Sequence, residues 1–216
     1  MFPQKNLYAI VKIIMKTNIT TTKRGGTKKE IIGIMGAKGS FSEEAAHTYA
    51  QKANIKEYVL DYLINAERVL TALEAGNITL AIFPIENSNG GIVLEAVHAM
   101  ARHNFDIKKI FEIDVHHNLL VLKGATADQV KAITSHDQAI KQCRMYLKRA
   151  WPKAKIEIYE DTAKAAADLA NGTLPKGTAV IASRIAAKIY KLDILEESIQ
   201  DLKWNYTSFI AARRRN

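Results

Sequence analysis

The stretch Ile31-Ile32-Gly33-Ile34-Met35-Gly36-Ala37-Lys38-Gly39-Ser40-Phe41-Ser42-Glu43-Glu44-Ala45-Ala46 passes from a buried strand into a helix within a few residues. The apolar run 31–35 has the length and branched side chains of an interior strand, and the Gly-Ala-Lys-Gly turn ends it. Ser42 then reads as the cap of a helix reaching about residue 53. Glu43 and Glu44 stand in its first turn, where the helix dipole favours acids. The same grammar recurs downstream. Residues 58–60 read as a strand, Asn65 caps a helix through residue 74 that Gly76 ends, and 79–83 is a strand stopped by Pro84. A helix follows from about 92 to 102, and 107–122 is extended. Strands at 131–134, 156–159 and 178–181 then alternate with helices at 137–150, from Asp161-Thr162 to Asn171-Gly172, and from Ser183 to residue 190. Alternation of this kind predicts an α/β fold with largely parallel sheets.

The chain has 216 residues, 48% of them hydrophobic and 25% charged, which is enough to bury a proper core. No apolar run approaches the roughly 20 residues of a membrane span. The stretch 7–15 is short, is broken by Lys12 and lacks a signal-peptidase pattern, so no membrane association and a cytoplasmic location are expected. A single cysteine, Cys143, argues against a disulfide framework or a multi-thiolate metal site. The net charge of +9 is concentrated at the ends. Residues 1–29 contribute +7 and Arg213 to Arg215 contribute +3, so residues 30–212 carry −1. Nucleic-acid binding would need basic residues patterned over the folded body, and none is expected here.

Three segments carry the candidate chemistry. Around Gly39-Ser40-Phe41-Ser42, backbone amides and two hydroxyls at a helix N-terminus make either an anion site or a plain strand–helix turn. Pro84-Ile85-Glu86-Asn87-Ser88-Asn89-Gly90-Gly91 collects an acid, amides and a hydroxyl at the end of a strand, where ligands of open α/β sheets bind. It reads as a second helix N-terminus aimed at an anion, or as a polar turn. Asn205-Tyr206-Thr207-Ser208-Phe209 either closes a small-molecule cleft or is an edge strand. His116 and His117 are adjacent on extended chain and point to opposite faces, so they do not make one metal site. Cys143 reads as a buried small hydrophobe.

Taken in order, these segments resemble the prephenate dehydratase family over residues 31–209. Residues 36–46 resemble the family's Gly-Pro-x-Gly-Thr-Phe-Ser opening, and 84–93 its second signature. His117-Asn118-Leu119-Leu120, Ser135-His136 with Gln142-Cys143, and residues 182–192 are similar to later blocks. The resemblance implies a two-lobed fold like type II periplasmic binding proteins, with a cleft between the lobes, and a homodimer. The chain would divide into a basic tail (1–29), a dehydratase-like domain (30–212) and a short basic tail (213–216). Lobe 1 would hold about 30–108 and 184–212, and lobe 2 about 109–183.

The implied reaction converts prephenate to phenylpyruvate in phenylalanine biosynthesis and uses no metal or other cofactor. On that resemblance, Thr207 hydrogen-bonds the leaving hydroxyl, and Ser208 stands where the family's Thr-Arg-Phe has arginine. Asn87 and Ser88 hold the substrate from the opposite wall. Gly39, Ser40, Phe41, Glu86, Asn118, Thr162, Ser183 and Phe209 are the further substrate-binding candidates, with helix capping the alternative for Thr162 and Ser183. The chain stops at Asn216, so the family's usual ACT domain is not expected, nor a fused chorismate mutase. A separate ACT or chorismate mutase protein is then a candidate partner. Two other functions fit the same residues: a prephenate decarboxylase that keeps the hydroxyl, and a non-catalytic ligand-binding protein.

Overall fold

The computed structural model describes residues 29–215. The 1–28 portion of the expected N-terminal tail lies outside them. The chain first lays down β1 (Glu30–Ile34), α1 (Phe41–Lys52), β2 (Tyr58–Tyr62), α2 (Ala66–Ala75), β3 (Leu80–Asn87), β4 (Gly91–Ile92), α3 (Leu94–Met100) and β5 (Phe105–Asp114). It crosses at 115–117 and builds β6 (Asn118–Val121), β7 (Ala132–His136), α4 (Asp137–Gln142), α5 (Arg144–Ala150), β8 (Lys155–Tyr159), α6 (Thr162–Ala170), β9 (Thr178–Ala182), α7 (Arg184–Tyr190) and β10 (Asp193–Glu196). It returns at 197–205, and β11 (Tyr206–Arg214) inserts between β3 and β5. The first sheet has the order β2-β1-β3-β11-β5, with β4 paired to β3, and the second has the order β10-β6-β9-β7-β8. Two α/β lobes joined by two crossings are the architecture that the resemblance implies, but the sheets are mixed rather than largely parallel. β11 runs antiparallel to β3 and β5, and β6 antiparallel to β9 and β10, because the chain crosses between lobes instead of continuing strand–helix–strand.

Both sheets are covered on both faces, which explains the continuous apolar strands. In β3, Ala81, Phe83 and Ile85 face one core and Leu80 and Ile82 the other. In β11, Ile210 and Ala212 face the first core and Phe209 and Ala211 the second. The second sheet repeats the pattern, with Ala179 and Ile181 of β9 on one side and Val180 and Ala182 on the other. Each fully buried Ile, Leu or Phe contributes roughly 1.5–3 kcal/mol of transfer free energy. Helix ends follow local chemistry. Asn65 accepts from the Arg68 amide at 2.9 Å, and Gly76 ends α2 with φ of 77°, a left-handed conformation that favours glycine. Asp161 and Ser183 cap α6 and α7.

Several boundaries differ from the sequence reading. Ser40, not Ser42, caps α1. Pro84 does not stop β3: β1 no longer pairs beyond Ile82, and the β11 register shifts between Ser208 and Phe209, so its missing amide is tolerated. Residues 87–91 form a hairpin turn into β4 rather than a helix N-terminus, and α3 begins only at Leu94. The 137–150 helix breaks at Cys143, whose φ of −112° is not helical. Both lobe boundaries lie further along the chain. β5 belongs wholly to the first sheet, and α7 and β10 pack with the second, because Ala186, Ala187 and Leu192 complete a core with Leu120, Ala165 and Val180. Among the described residues, no helix is long and apolar enough to cross a membrane.

Arg213 and Arg214 belong to β11 rather than to a tail. Arg213 Nη2 donates to Glu30 Oε1 at 2.6 Å and Nη1 to Glu30 Oε2 at 3.3 Å, and Thr79 also donates to this carboxylate. Burial works against ionising Glu30, but the bonds from Arg213 and Thr79 outweigh it and hold its carboxyl below the usual range. A carboxyl depressed in the folded state contributes stability above its unfolded pKa, and that contribution is lost as pH falls through the folded value. Arg213→Ala should therefore lower the melting temperature at pH 7. Its deficit relative to wild type should shrink as the pH is taken below about 4, which thermal melts across that range would measure.

Candidate active-site cleft

A cleft of about 560 Å³ opens between the lobes and is lined from both, within the range of small-molecule sites. Its floor is organised by Asn87. Asn87 Oδ1 accepts from the backbone amides of Asn89 (3.0 Å) and Gly90 (2.7 Å). Those amides can only donate, so Asn87 must turn its Nδ2 the other way, where it donates to Thr207 Oγ1 at 2.8 Å and Asn205 Oδ1 at 2.9 Å. The Thr207 oxygen thus accepts, and its own proton is left to donate. Thr207 and Phe209 line the cleft from the same face of β11.

Ser208 points away and sits 3.3 Å from Glu112. The strand's two-residue period separates the two hydroxyls. A cation at position 208 would meet Glu112 rather than a ligand, so Ser208 is not part of the cleft.

Gln142, at the end of α4, reaches the same floor from the second lobe. Its Nε2 donates to Asn87 Oδ1 at 3.2 Å and its Oε1 accepts from Asn205 Nδ2 at 2.9 Å. In the sequence, Gln142 stands out only as part of the Gln142-Cys143 block. That block was the available signal, but the contact to Asn87 spans 55 positions. His117 lies in the first crossing, 4% exposed, with Nε2 2.7 Å from Gln142 Oε1 and its ring edge-on to Phe41 at 5.4 Å. Burial pushes its pKa down, against the bond to Gln142.

The α1 end of the cleft departs in part from expectation. Ser40, Phe41 and Ser42 line it, and the amides of Phe41 and Ser42 begin the helix, where no helical acceptor exists. Gly39 does not line it: its amide is taken by Glu43 Oε2 at 2.6 Å and its carbonyl by Ser183 Oγ at 2.6 Å. Gly39 has φ of +88°, and a Cβ there would lie 3.1 Å from Tyr190 and 3.2 Å from Ala186, so only glycine lets this turn rest on α7. Ser183 is therefore a latch between the lobes as well as a cap, and it does not face the cleft.

Asn118 is likewise structural. It is fully buried, donates to the carbonyls of His116 (3.1 Å) and Ala182 (3.4 Å), and accepts from the Ser198 amide. Ser88 exchanges hydrogen bonds with the backbone of Tyr206 and pins the hairpin to β11. Glu86 pairs with Ser208 and Ile92 outside the lining. Thr162, first in α6, does line the cleft beside its cap Asp161. Cys143 is buried, and burial, aided by the charge of Asp201, pushes its thiol far up, which leaves it unreactive.

Among the described lining residues there is no lysine or arginine, whereas Glu95, Glu160 and Asp161 are present. Attraction for an anion must come from helix N-termini and neutral donors: α1, with 12 residues, and α6, with 9, both begin at the cleft.

A model of the family described as prephenate dehydratase matches residues 32–216. Arogenate dehydratase 5, chloroplastic, of Arabidopsis thaliana is 35% identical over 186 residues, covering 85% of this chain and 42% of the plant protein. Prephenate dehydratase of Lactococcus lactis is 33% identical over 183 residues, covering 82% of this chain and 61% of the relative. Among solved structures, prephenate dehydratase of Arthrobacter aurescens in complex with L-Phe is similar with a TM-score of 0.78 and 26% identity, covering 86% of this chain and 60% of that one. The chain thus spans about half the length of several curated relatives that it matches.

The latch gives a stability prediction. Ser183→Ala removes the side-chain cap on the Ala186 amide and the bond to Gly39 together. The loss should be about 2 kcal/mol, a melting shift of roughly 5 °C for a chain of this size. Calorimetry of the variant checks it.

Proposed function

Because the chain belongs to the prephenate dehydratase family, we propose that this cleft carries out the decarboxylating dehydration of prephenate to phenylpyruvate. Prephenate carries two carboxylates and a ring hydroxyl. The bond to the ring carboxylate breaks, CO₂ departs, and its electron pair moves through the ring to expel the hydroxyl on the opposite carbon. That hydroxyl takes up a proton and leaves as water, and the ring becomes aromatic. The chemistry is downhill, so the protein's task is to orient the substrate and stabilise the departing oxygen.

The observation that carries this reading is the direction of the hydrogen bond at Thr207. Its oxygen accepts from Asn87 Nδ2 at 2.8 Å, which leaves the hydroxyl proton free to donate into the cleft, as departure of a hydroxyl requires. The free first-turn amides of α1, with the Ser40 side chain beside them, suit one carboxylate. Phe41 and Phe209 supply apolar walls for the ring. A homodimer, a cytoplasmic location and a separate ACT or chorismate mutase partner complete the reading. Thr207→Ala should lower kcat at least about tenfold, as expected for losing a transition-state donor, while Ser208→Ala stays within about twofold of wild type. Purified protein with prephenate, followed for aromatic product and CO₂ together, tests the activity. Release of CO₂ without aromatic product would instead identify a decarboxylase.

A second substrate is favoured by one specific feature. Carboxylates at Glu95, Glu160 and Asp161, with no lysine or arginine among the described lining residues, suit a substrate that bears an ammonium beside its carboxylates, as arogenate does. Asp161→Asn keeps a competent helix cap and removes the charge. It should reduce kcat/KM for arogenate several-fold more than for prephenate; equal effects would show that Asp161 does not read the ammonium.

A further inference from the structure

Among the described residues, His117 Nδ1 is the side-chain polar atom that is buried without a hydrogen-bond partner. The ring's protonation follows from backbone groups that have no choice of role. The amides of Asn89 and Gly90 can only donate, which fixes Oδ1 of Asn87 toward them and Nδ2 toward Thr207. The carbonyl of Val115 can only accept, so Asn205 turns Nδ2 to it at 3.2 Å, and the same nitrogen donates to Gln142 at 2.9 Å. Gln142 therefore presents Oε1 on that side and Nε2 to Asn87 Oδ1. A reversed Gln142 would set two donors together at Asn205 and two acceptors together at Asn87. His117 Nε2, 2.7 Å from an oxygen that can only accept, must carry the proton.

We infer that His117 is a neutral imidazole of the Nε2–H tautomer and a positioning residue: it locks Gln142, and through Gln142 and Asn87 it holds Thr207 with its hydroxyl proton toward the cleft. The line of donation runs His117 to Gln142, Gln142 to Asn87, and Asn87 to Thr207, from the crossing between the lobes to the proposed reacting group. Nδ1 is then a bare acceptor, which costs less to bury than the unpaired N–H that protonation would create. The downward pull of burial on its pKa agrees with this. Phe41 closes on the ring edge-on and keeps the tilt of the imidazole fixed. The kinetic consequence rests on the dehydratase reading; the tautomer does not.

The tautomer is measured by ¹⁵N-edited NMR of the intact chain at neutral pH, where a protonated Nε2 and a bare Nδ1 are expected. An Nδ1–H signal or an imidazolium overturns the inference whether or not the chain turns over. His117→Phe keeps the ring and removes the donor, whereas His117→Gln places an amide N–H at about the reach of Nε2. His117→Phe should lower kcat at least about tenfold with KM within about threefold, and His117→Gln should restore most of kcat. Equal kcat in wild type and His117→Phe, or no gain in His117→Gln, overturns the positioning role. If His117→Phe does not fold, His117→Asn replaces it: its shorter amide falls short of Gln142, so kcat should drop in His117→Asn and not in His117→Gln. A wild-type chain that turns over neither prephenate nor arogenate would overturn the functional reading and leave the tautomer result standing.

Discussion

The two backbone amides of Asn89 and Gly90 must find an acceptor at the tip of the β3–β4 turn, and Asn87 Oδ1 provides it. That local requirement fixes the orientation of a side chain on which the rest of the cleft floor depends. With Oδ1 committed, Nδ2 has to donate to Thr207 and Asn205, and Gln142 has to donate to Asn87. A short turn thereby sets the polarity of a network that joins both lobes and both crossings. Partly buried amides of this kind are costly if unpaired and directional when paired, so the arrangement specifies one geometry.

The lobes are held at a second place by small residues. Gly39 brings the α1 turn against α7 because no Cβ intervenes, and Ser183 spans the gap with a 2.6 Å bond to its carbonyl. Asn118 ties the first crossing to β9 and to the start of the second crossing. These contacts fix the width of the cleft and so the distance between the α6 N-terminus of the second lobe and Thr207 of the first. Their polar character also explains why Ser183 and Asn118 read as binding residues. A buried hydroxyl or amide serves a latch and a ligand equally well, and its sequence neighbours do not say which.

The electrostatics follow from the same economy of charge. Basic side chains pair away from the cleft, Arg213 with Glu30 and Arg184 with Glu197. Among the described lining residues, the donors available to an anion are backbone amides at helix ends and neutral side chains rather than a lysine or arginine. Preorganised dipoles of this sort cost no reorganisation when charge moves during reaction. They also discriminate by position rather than by net charge.

The sequence by itself determined the strand–helix alternation, the caps at Asn65 and Ser183, the opening of a helix at Asp161-Thr162 (where the cap proves to be Asp161, not Thr162), and the two segments that meet at the floor of the cleft. These are local matters: apolar period, capping side chains and turn glycines act within a few residues. The tertiary structure alone decided that β11 lies between β3 and β5, that Thr207 rather than Ser208 faces the cleft, that α7 and β10 join the second lobe, and that Gln142 completes the floor. Each of these depends on pairing across long stretches of chain, 118 positions for Asn87 with Asn205 and 144 for Gly39 with Ser183. Local periodicity says that alternate residues of a strand face opposite ways. Which of the two faces meets the cleft is set by the neighbouring strand, and that neighbour comes from the other end of the sequence.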